Sequence, residues 1–91
     1  PPRAPALDEA LERVYPAEAR RVGVSGRAVL RVRIDPDGAV GAVRVLSESY
    51  PGFGEACARA VRSGRWGAPL DREGRAVATE ITYTCRFEVR S

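Results

Sequence analysis

The sequence predicts a small α+β domain, in which two helices pack on one face of a three-stranded antiparallel sheet with strand order 2-1-3. Three observations lead to this fold class. Hydrophobic and polar residues alternate over about residues 27–47 and again over residues 77–89. A Pro-Asp-Gly turn divides the first of these segments, and a helix-like run of small residues separates the two. With 91 residues, 44% of them hydrophobic and 30% charged, the chain has room for one globular domain.

The first residues, PPRAP, have the composition of a proline-rich linker, because proline favours extended backbone and interrupts helices and strands. Residues 7–14 are compatible with a short helical turn, since acidic residues come early in this stretch and Arg13 comes late. We therefore assign residues 1–14 to the end of a linker and a short lead-in, and residues 15–91 to the folded domain.

The sequence predicts two helices inside the domain. The first covers residues 16–22: Pro16 suits the first helical position, Glu18 lies where the helix dipole favours an acidic residue, and Gly23 can form a left-handed cap. The second covers about residues 53–63, with small side chains on the side that faces the sheet. Its apolar stripe contains Phe53, Ala56, Cys57, Ala60 and Val61.

The first alternating segment is predicted to form two strands. The apolar side of the first strand contains Ala28, Leu30, Val32 and Ile34. The turn at residues 35–38 combines a proline, which presets the backbone, with a glycine that can adopt positive φ, and this combination favours a hairpin. The return strand spans about residues 40–47. The spacing from Val40 to Val43 breaks its period of two, which predicts a β-bulge.

The last strand is predicted from Val77 to Val89, where the sequence has its longest alternation. A right-handed connection through the second helix would place this strand beside the first one and leave it at an edge of the sheet. A long edge strand exposes backbone groups to which another strand can pair. Alternatively, the charged residues Glu80, Arg86 and Glu88 protect this edge, and the sequence alone does not decide between the two.

The residue types exclude most catalytic and metal sites. All fifteen basic residues are arginine, and the absence of histidine and lysine removes imidazole ligands, histidine-activated nucleophiles and the P-loop lysine. Asp35 and Asp37 are better explained by turn chemistry than by a calcium loop, whose other ligands are missing. We expect no catalytic residue, no metal and no cofactor. The interleaving of arginines with acidic residues argues against nucleic-acid binding.

Two cysteines are predicted to lie close together in the fold. Cys57 is on the inward stripe of the second helix, and Cys85 is on the inward side of the last strand. A disulfide between them would stabilise the domain by roughly 3 to 4 kcal/mol on the chain-entropy model. We expect this bond in preference to the alternative, which is two free thiols that pack as small apolar residues. Trp66 is expected to plug one end of the core, with a stacking surface beside Arg65 as the alternative.

Several short motifs together resemble the C-terminal domain of TonB-type energy transducers, over about residues 15–89. The matching residues are Tyr15-Pro16-Ala17, Ala19, Gly26, Asp35-Pro36-Asp37-Gly38, Val40, Val43, Val45, Ser47 and Ala60-Val61-Arg62. The family pattern continues with a tryptophan, a basic residue and an aromatic residue before a proline. Here the first tryptophan is missing, and Trp66 occupies the later aromatic position ahead of Pro69.

The resemblance implies a periplasmic domain that is anchored in the inner membrane by a transmembrane helix outside this sequence. It implies that the domain captures the TonB box of an outer-membrane transporter by β-strand addition, and that the ExbB and ExbD motor proteins couple the proton motive force to uptake. A homodimer that pairs through the sheet edges stays open. The implied contact residues are Tyr15, Pro16, Ala78, Thr79, Glu80, Ile81, Thr82, Tyr83, Thr84, Cys85, Arg86 and Phe87.

Two other functions stay open. A TonB-like or TolA-like adaptor domain of another cell-envelope machine, in secretion or motility, would share these motifs. A thiol-redox enzyme would use the two cysteines, although they lack the CxxC spacing and an activating base. Binding of transporter peptides separates the adaptor from the leading hypothesis, and a thiol-disulfide exchange assay tests the redox enzyme.

Overall fold

The computed structural model describes residues 7–89 of the chain, so the predicted linker PPRAP lies outside the described residues. These residues form, in chain order, α1 (Asp8–Val14), α2 (Ala17–Val22), β1 (Gly26–Ile34), β2 (Val40–Glu48), α3 (Phe53–Ser63) and β3 (Thr79–Phe87). The strands make one antiparallel sheet with the order β2-β1-β3, and helices pack against one of its faces. The predicted α+β class and strand order are confirmed.

The core lies between β1 and α3. The apolar residues of β1, Ala28, Leu30, Val32 and Ile34, are completely buried. Cys57 and Val61 of α3 belong to the same buried cluster, and Ala56 and Ala60 are buried on the helix as well. At one end of this layer the rings of Phe53 and Phe87 stack with their centroids 4.4 Å apart, and Tyr15 packs edge-on against both. This aromatic cluster joins the start of α3 to the end of β3.

The structure adds a third helix to the two that the sequence predicted. α1 is longer than the short turn expected for the lead-in, and it packs against α3. Leu7 and Ala10 are buried, while Leu11 and Val14 are partly buried against the core. These four residues follow the i, i+3, i+4, i+7 spacing of an amphipathic helix, so the sequence did contain a signal for α1. Residues 7–14 are part of the packed structure.

α2 begins at Ala17, one residue later than predicted. Pro16 has an extended backbone with φ −57° and ψ 128°, and its carbonyl oxygen accepts the N–H of Arg20 at 3.0 Å. It therefore caps the helix instead of occupying the first helical position. The C-terminal cap is as predicted, because Gly23 is left-handed with φ 77° and donates its N–H to the carbonyl oxygens of Ala19 and Arg20.

The hairpin turn has the predicted conformation. Gly38 has φ 88°, and its N–H donates to the carbonyl oxygen of Asp35 at 2.8 Å. A Cβ atom at this position would lie 2.6 Å from the carbonyl oxygen of Trp66, so both the backbone angle and the available space require glycine. Two register shifts interrupt the pairing of β2 with β1: the predicted bulge, at Gly41, and a second at Leu46 that the pattern did not predict.

Side-chain hydrogen bonds fix both ends of α3. Glu48, at the end of β2, accepts the N–H of Gly54 on Oε1 at 2.8 Å and so satisfies a donor in the first turn. Beyond the other end, the indole N–H of buried Trp66 donates to the carbonyl oxygen of Val61 at 3.1 Å. The Trp66 ring also meets Tyr83 edge-on, with centroids 5.4 Å apart. Trp66 plugs the end of the core, as predicted.

Candidate strand-docking edge

β3 forms one edge of the sheet and pairs with β1 along its whole length. Nine consecutive residue pairs connect the two strands, from Gly26–Phe87 to Ile34–Thr79, without a register shift. An uninterrupted antiparallel ladder leaves the opposite side of the strand equally regular. In the part of the chain that the structure describes, no strand lies on that side of β3. We call this side, along Thr79–Phe87, the β3 edge.

The hydrogen bonds of β1 determine which backbone groups of β3 point outward. The carbonyl oxygen of Arg27 accepts the N–H of Ser49 at 2.9 Å, and the N–H of Asp35 donates to Ala39 at 2.8 Å. The backbone N–H and C=O groups of the odd-numbered β1 residues thus point toward β2. Because the direction alternates along a strand, those of the even-numbered residues bond to β3. Their partners are the odd-numbered residues of β3. The outward N–H and C=O groups therefore belong to Glu80, Thr82, Thr84 and Arg86.

Ten of the implied contact residues follow Pro16 in the sequence, and the structure places nine of them in β3. The side chains that face the helices are those of Thr79, Ile81, Tyr83, Cys85 and Phe87. Ala78 lies just before the strand, so the predicted span was wrong by two residues at each end. Val77 donates its N–H to Pro69 at 2.9 Å, and Val89 donates to Oγ of Ser25 at 3.0 Å. Both leave the ladder because β1 offers no partner there.

A disulfide connects β3 to α3. Cys57 and Cys85 are joined, as the sequence favoured, with their Cα atoms 5.8 Å apart. Both residues are buried, and Cys85 also pairs with Ala28 in the ladder between β3 and β1. The edge strand is thus attached in two independent ways, by main-chain hydrogen bonds on one side and by a covalent bond on its inner face.

The outer face of the sheet has a different charge at each end of β3. Arg31 donates from Nε to Oε1 of Glu80 at 3.3 Å and from Nη1 to Oγ1 of Thr82 at 3.1 Å. At the other end, Arg27 and Arg86 lie directly opposite each other. Neither of these side chains has an ion-pair partner among residues 7–89. We call the outward side chains of β3, those of Glu80, Thr82, Thr84 and Arg86, its outer row. The charge of this row is neutralised near Glu80 and positive near Arg86.

Tyr15 lies at the end of β3, whereas Pro16 lies at the corner between α1 and α2. The Tyr15 ring meets Phe87 edge-on with centroids 5.4 Å apart, and its hydroxyl donates to the carbonyl oxygen of Val24. The guanidinium of Arg20 lies over the same ring, 4.9 Å from its centroid. Pro16 borders a groove that is otherwise lined by Val14 and the start of α3. The fold thus brings Tyr15, but not Pro16, against the end of β3.

Two further kinds of site are absent from residues 7–89. Within residues 7–89, no three histidine, cysteine, aspartate or glutamate side chains are arranged to hold a metal ion. None of the helices in this part of the chain combines the length and hydrophobicity needed to cross a bilayer.

The opposition of Arg27 and Arg86 was not predicted, because it depends on the register between two strands that are distant in sequence.

Comparison with known proteins agrees with this architecture. The family model for the Gram-negative bacterial TonB protein C-terminal matches residues 12–89. The solution NMR structure of the Pseudomonas aeruginosa TonB C-terminal domain superposes with a TM-score of 0.69 at 26% identity, covering 85% of this chain and 78% of that one. The Helicobacter pylori TonB C-terminal domain gives a TM-score of 0.57 at 15% identity, which shows a similar fold, and covers 93% and 78%. Curated protein sequences give no match.

Proposed function

Because this chain belongs to the family of Gram-negative TonB C-terminal domains, we propose that it is the periplasmic binding domain of an energy transducer and captures the TonB box of an outer-membrane transporter at the β3 edge. The captured segment adds to β3 as a further strand of the sheet. In this mode of recognition, main-chain hydrogen bonds supply affinity and side chains supply specificity.

The regularity of the β3 edge is the observation that carries this proposal. A docked strand requires outward N–H and C=O groups at every second residue, and Glu80, Thr82, Thr84 and Arg86 supply them without interruption. Proteins usually protect an edge with a bulge, a proline or charged side chains. β3 contains neither a bulge nor a proline, and its charged residues Glu80 and Arg86 lie toward its ends, with the uncharged Thr82 and Thr84 between them.

The attachment of β3 suits a strand that carries a load. Tension from the captured segment would enter β3 and pass to β1 through nine residue pairs. It would also pass to α3 through the bond between Cys57 and Cys85. We propose that the load continues through an N-terminal linker to an inner-membrane anchor, where the ExbB and ExbD motor couples the proton motive force to uptake.

The proposed contact residues have different roles. Glu80, Thr82, Thr84 and Arg86 offer their main chain to the captured segment, and Ala78 lies beside one end of it. The odd-numbered residues of β3 instead hold the strand against the core, which fixes the position of the edge. Tyr15 and Pro16 are proposed to touch the transporter outside the captured strand.

Substitution of Thr82 tests strand addition, because the amide of this residue points outward. Thr82→Pro removes that N–H and leaves the bonds between β1 and β3 in place. We expect it to weaken binding of a fluorescently labelled TonB-box peptide by about tenfold or more, from the loss of a main-chain hydrogen bond and the clash of the ring. Thr82→Ala keeps the N–H and is the matched control, with an expected change below about twofold.

Circular dichroism must show that both variants are folded before their affinities are compared. An unchanged affinity in folded Thr82→Pro would contradict strand addition at this edge. If no transporter peptide binds the unmodified domain, the adaptor of another envelope machine becomes the better explanation.

A further inference from the structure

We propose that Arg86, together with Arg27, selects captured segments that carry a carboxylate side chain at the end of the docked strand beside Arg86. This inference rests on the proposed strand addition and adds the chemistry that the added strand must have. It starts from the register, which places Arg27 and Arg86 directly opposite each other at one end of the ladder. Both residues are exposed on the outer face of the sheet. We call them the arginine pair.

The arginine pair is unfavourable for the isolated domain. The backbone groups of Arg27 point toward β2, so this pair is not hydrogen-bonded, and in such pairs the Cβ atoms approach to about 4.5 Å. Like charges in this position destabilise a sheet. Glu88 borders the same groove as the arginine pair but forms an ion pair with neither residue. A local cost of this kind is typical of positions that serve binding.

The other arginines of β1 behave differently. Arg31 forms an ion pair with Glu80 at 3.3 Å, and Arg33 forms one with Asp35 at 3.2 Å. Among the residues that the structure describes, Arg31 and Arg33 thus have acidic partners, whereas the two members of the arginine pair have none. Positive charge remains at only one end of the outer row of β3.

A docked strand would bring a side chain within reach of this charge. The backbone groups of Arg86 point outward, so the added strand would pair with it directly, and a side chain on the same face would start about 5 Å away. A carboxylate there can accept hydrogen bonds from the guanidinium group, and the long side chain of Arg27 can approach from the next strand. At the opposite end Glu80 already binds Arg31, so a second carboxylate would gain nothing.

Three versions of one TonB-box peptide test this inference. The first carries glutamate at its amino end, the second carries glutamate at its carboxyl end, and the third carries glutamine at both ends, all with blocked termini. Their affinities are compared by fluorescence anisotropy at low and high salt. We expect one glutamate peptide to bind about fivefold tighter than the glutamine peptide at low salt, and the advantage to shrink at high salt. Which of the two binds tighter reports the direction of the docked strand.

Variants of the domain assign the preference to residues. Arg86→Gln should abolish the preference for the glutamate peptide over the glutamine peptide, and Arg27→Gln should reduce it. Arg44→Gln, at an exposed arginine on the same face but in β2, should retain the full preference. Neither substitution in the arginine pair should destabilise the domain, because each removes a repulsion.

Equal affinities of all three peptides for the unmodified domain would overturn the inference and leave strand addition intact. A preference that persists in Arg86→Gln would overturn it as well. If none of the peptides binds, strand addition itself fails and this inference fails with it.

Discussion

The two edges of the sheet differ in regularity. β3 pairs with β1 through nine consecutive residues, whereas the pairing of β2 is interrupted at Gly41 and again at Leu46. Each bulge twists the strand locally and breaks the even spacing of its backbone groups. Bulged edges are poor templates for another strand. The domain thus protects one edge and leaves the other available.

The protected edge is also the one with exposed apolar side chains. Val45 and Leu46 in β2 expose 44% and 47% of their surface, and the second bulge lies at this place. A regular strand with such residues would invite edge-to-edge aggregation. The β3 edge combines regular main-chain groups with a polar outer row, which favours recognition of a specific segment over non-specific association.

The disulfide ties one edge strand, β3, to α3. Its removal should therefore have the largest effect on the difference in stability between the two edges. For a double Cys57→Ala/Cys85→Ala variant, the sequence separation of 28 residues predicts a loss of about 3.6 kcal/mol in the free energy of unfolding on the chain-entropy model. Urea denaturation measures this loss. Amide hydrogen exchange should accelerate more in β3 than in β2, and equal acceleration in both would argue against a local role of the bond.

Proline substitutions at the two edges compare them directly. Val45 lies opposite Leu30, whose backbone groups face β3, so the N–H of Val45 points to the outer edge of β2. Val45→Pro therefore removes an outward donor from the protected edge, as Thr82→Pro does from the β3 edge. We expect peptide affinity to change by less than about twofold in Val45→Pro and by about tenfold or more in Thr82→Pro. Similar losses in two folded variants would mean that the edges are not functionally distinct.

The elements that the sequence predicted are those with a local cause. Alternation identified β1, and the Pro-Asp-Gly turn at residues 35–38 identified the hairpin, since both depend on neighbours in the chain. The bulge at Gly41 was predictable because the Val40–Val43 spacing shows it. The bulge at Leu46 was not predicted, and it is seen only in the register between β2 and β1.

The candidate site was predictable only in part. The edge position of β3 followed from topology, and the approach of Cys57 to Cys85 followed from two inward-facing stripes. The outward direction of the Thr82 amide could not be predicted, because side-chain alternation does not tell which residues exchange hydrogen bonds. The ends of β3 could not be predicted from its own sequence either, because the length of β1 and the hydrogen bond from Val77 to Pro69 determine them.

The link between β2 and α3 is weaker than the disulfide and should respond accordingly. A hydrogen bond from the N–H of Gly54 to Glu48 joins the start of α3 to the end of β2. Glu48→Ala is expected to lower the free energy of unfolding by about 1 kcal/mol, as the loss of a helix cap does. Glu48→Gln keeps an acceptor and is expected to lose less than half of that. Equal losses in urea denaturation would assign the effect to charge instead of the hydrogen bond.

The smallest predicted effects concern charge on the outer face, where Arg31 has a favourable neighbour on one side only. It forms an ion pair with Glu80 of β3 and lies opposite Arg44 of β2. Removing the charge at each neighbour should therefore change stability in opposite directions. Glu80→Gln is expected to destabilise the domain, and Arg44→Gln to stabilise it, each by about 0.2–0.5 kcal/mol because these side chains are exposed.

Thermal unfolding at two salt concentrations distinguishes this charge effect from packing. The shifts in Tm should have opposite signs at low salt, and both should approach zero at about 1 M salt, where the Debye length is about 3 Å. Glu73→Gln, in the exposed loop before β3, is the control for a change in net charge, because among residues 7–89 its carboxylate forms an ion pair with Arg75 alone, at 4.0 Å. Glu80→Gln raises the net charge from +3 to +4, as Glu73→Gln does, so equal Tm shifts in these two variants would assign the effect to net charge instead of to the neighbours of Arg31. Opposite shifts that persist at high salt would instead point to changed packing of the long side chains around Arg31.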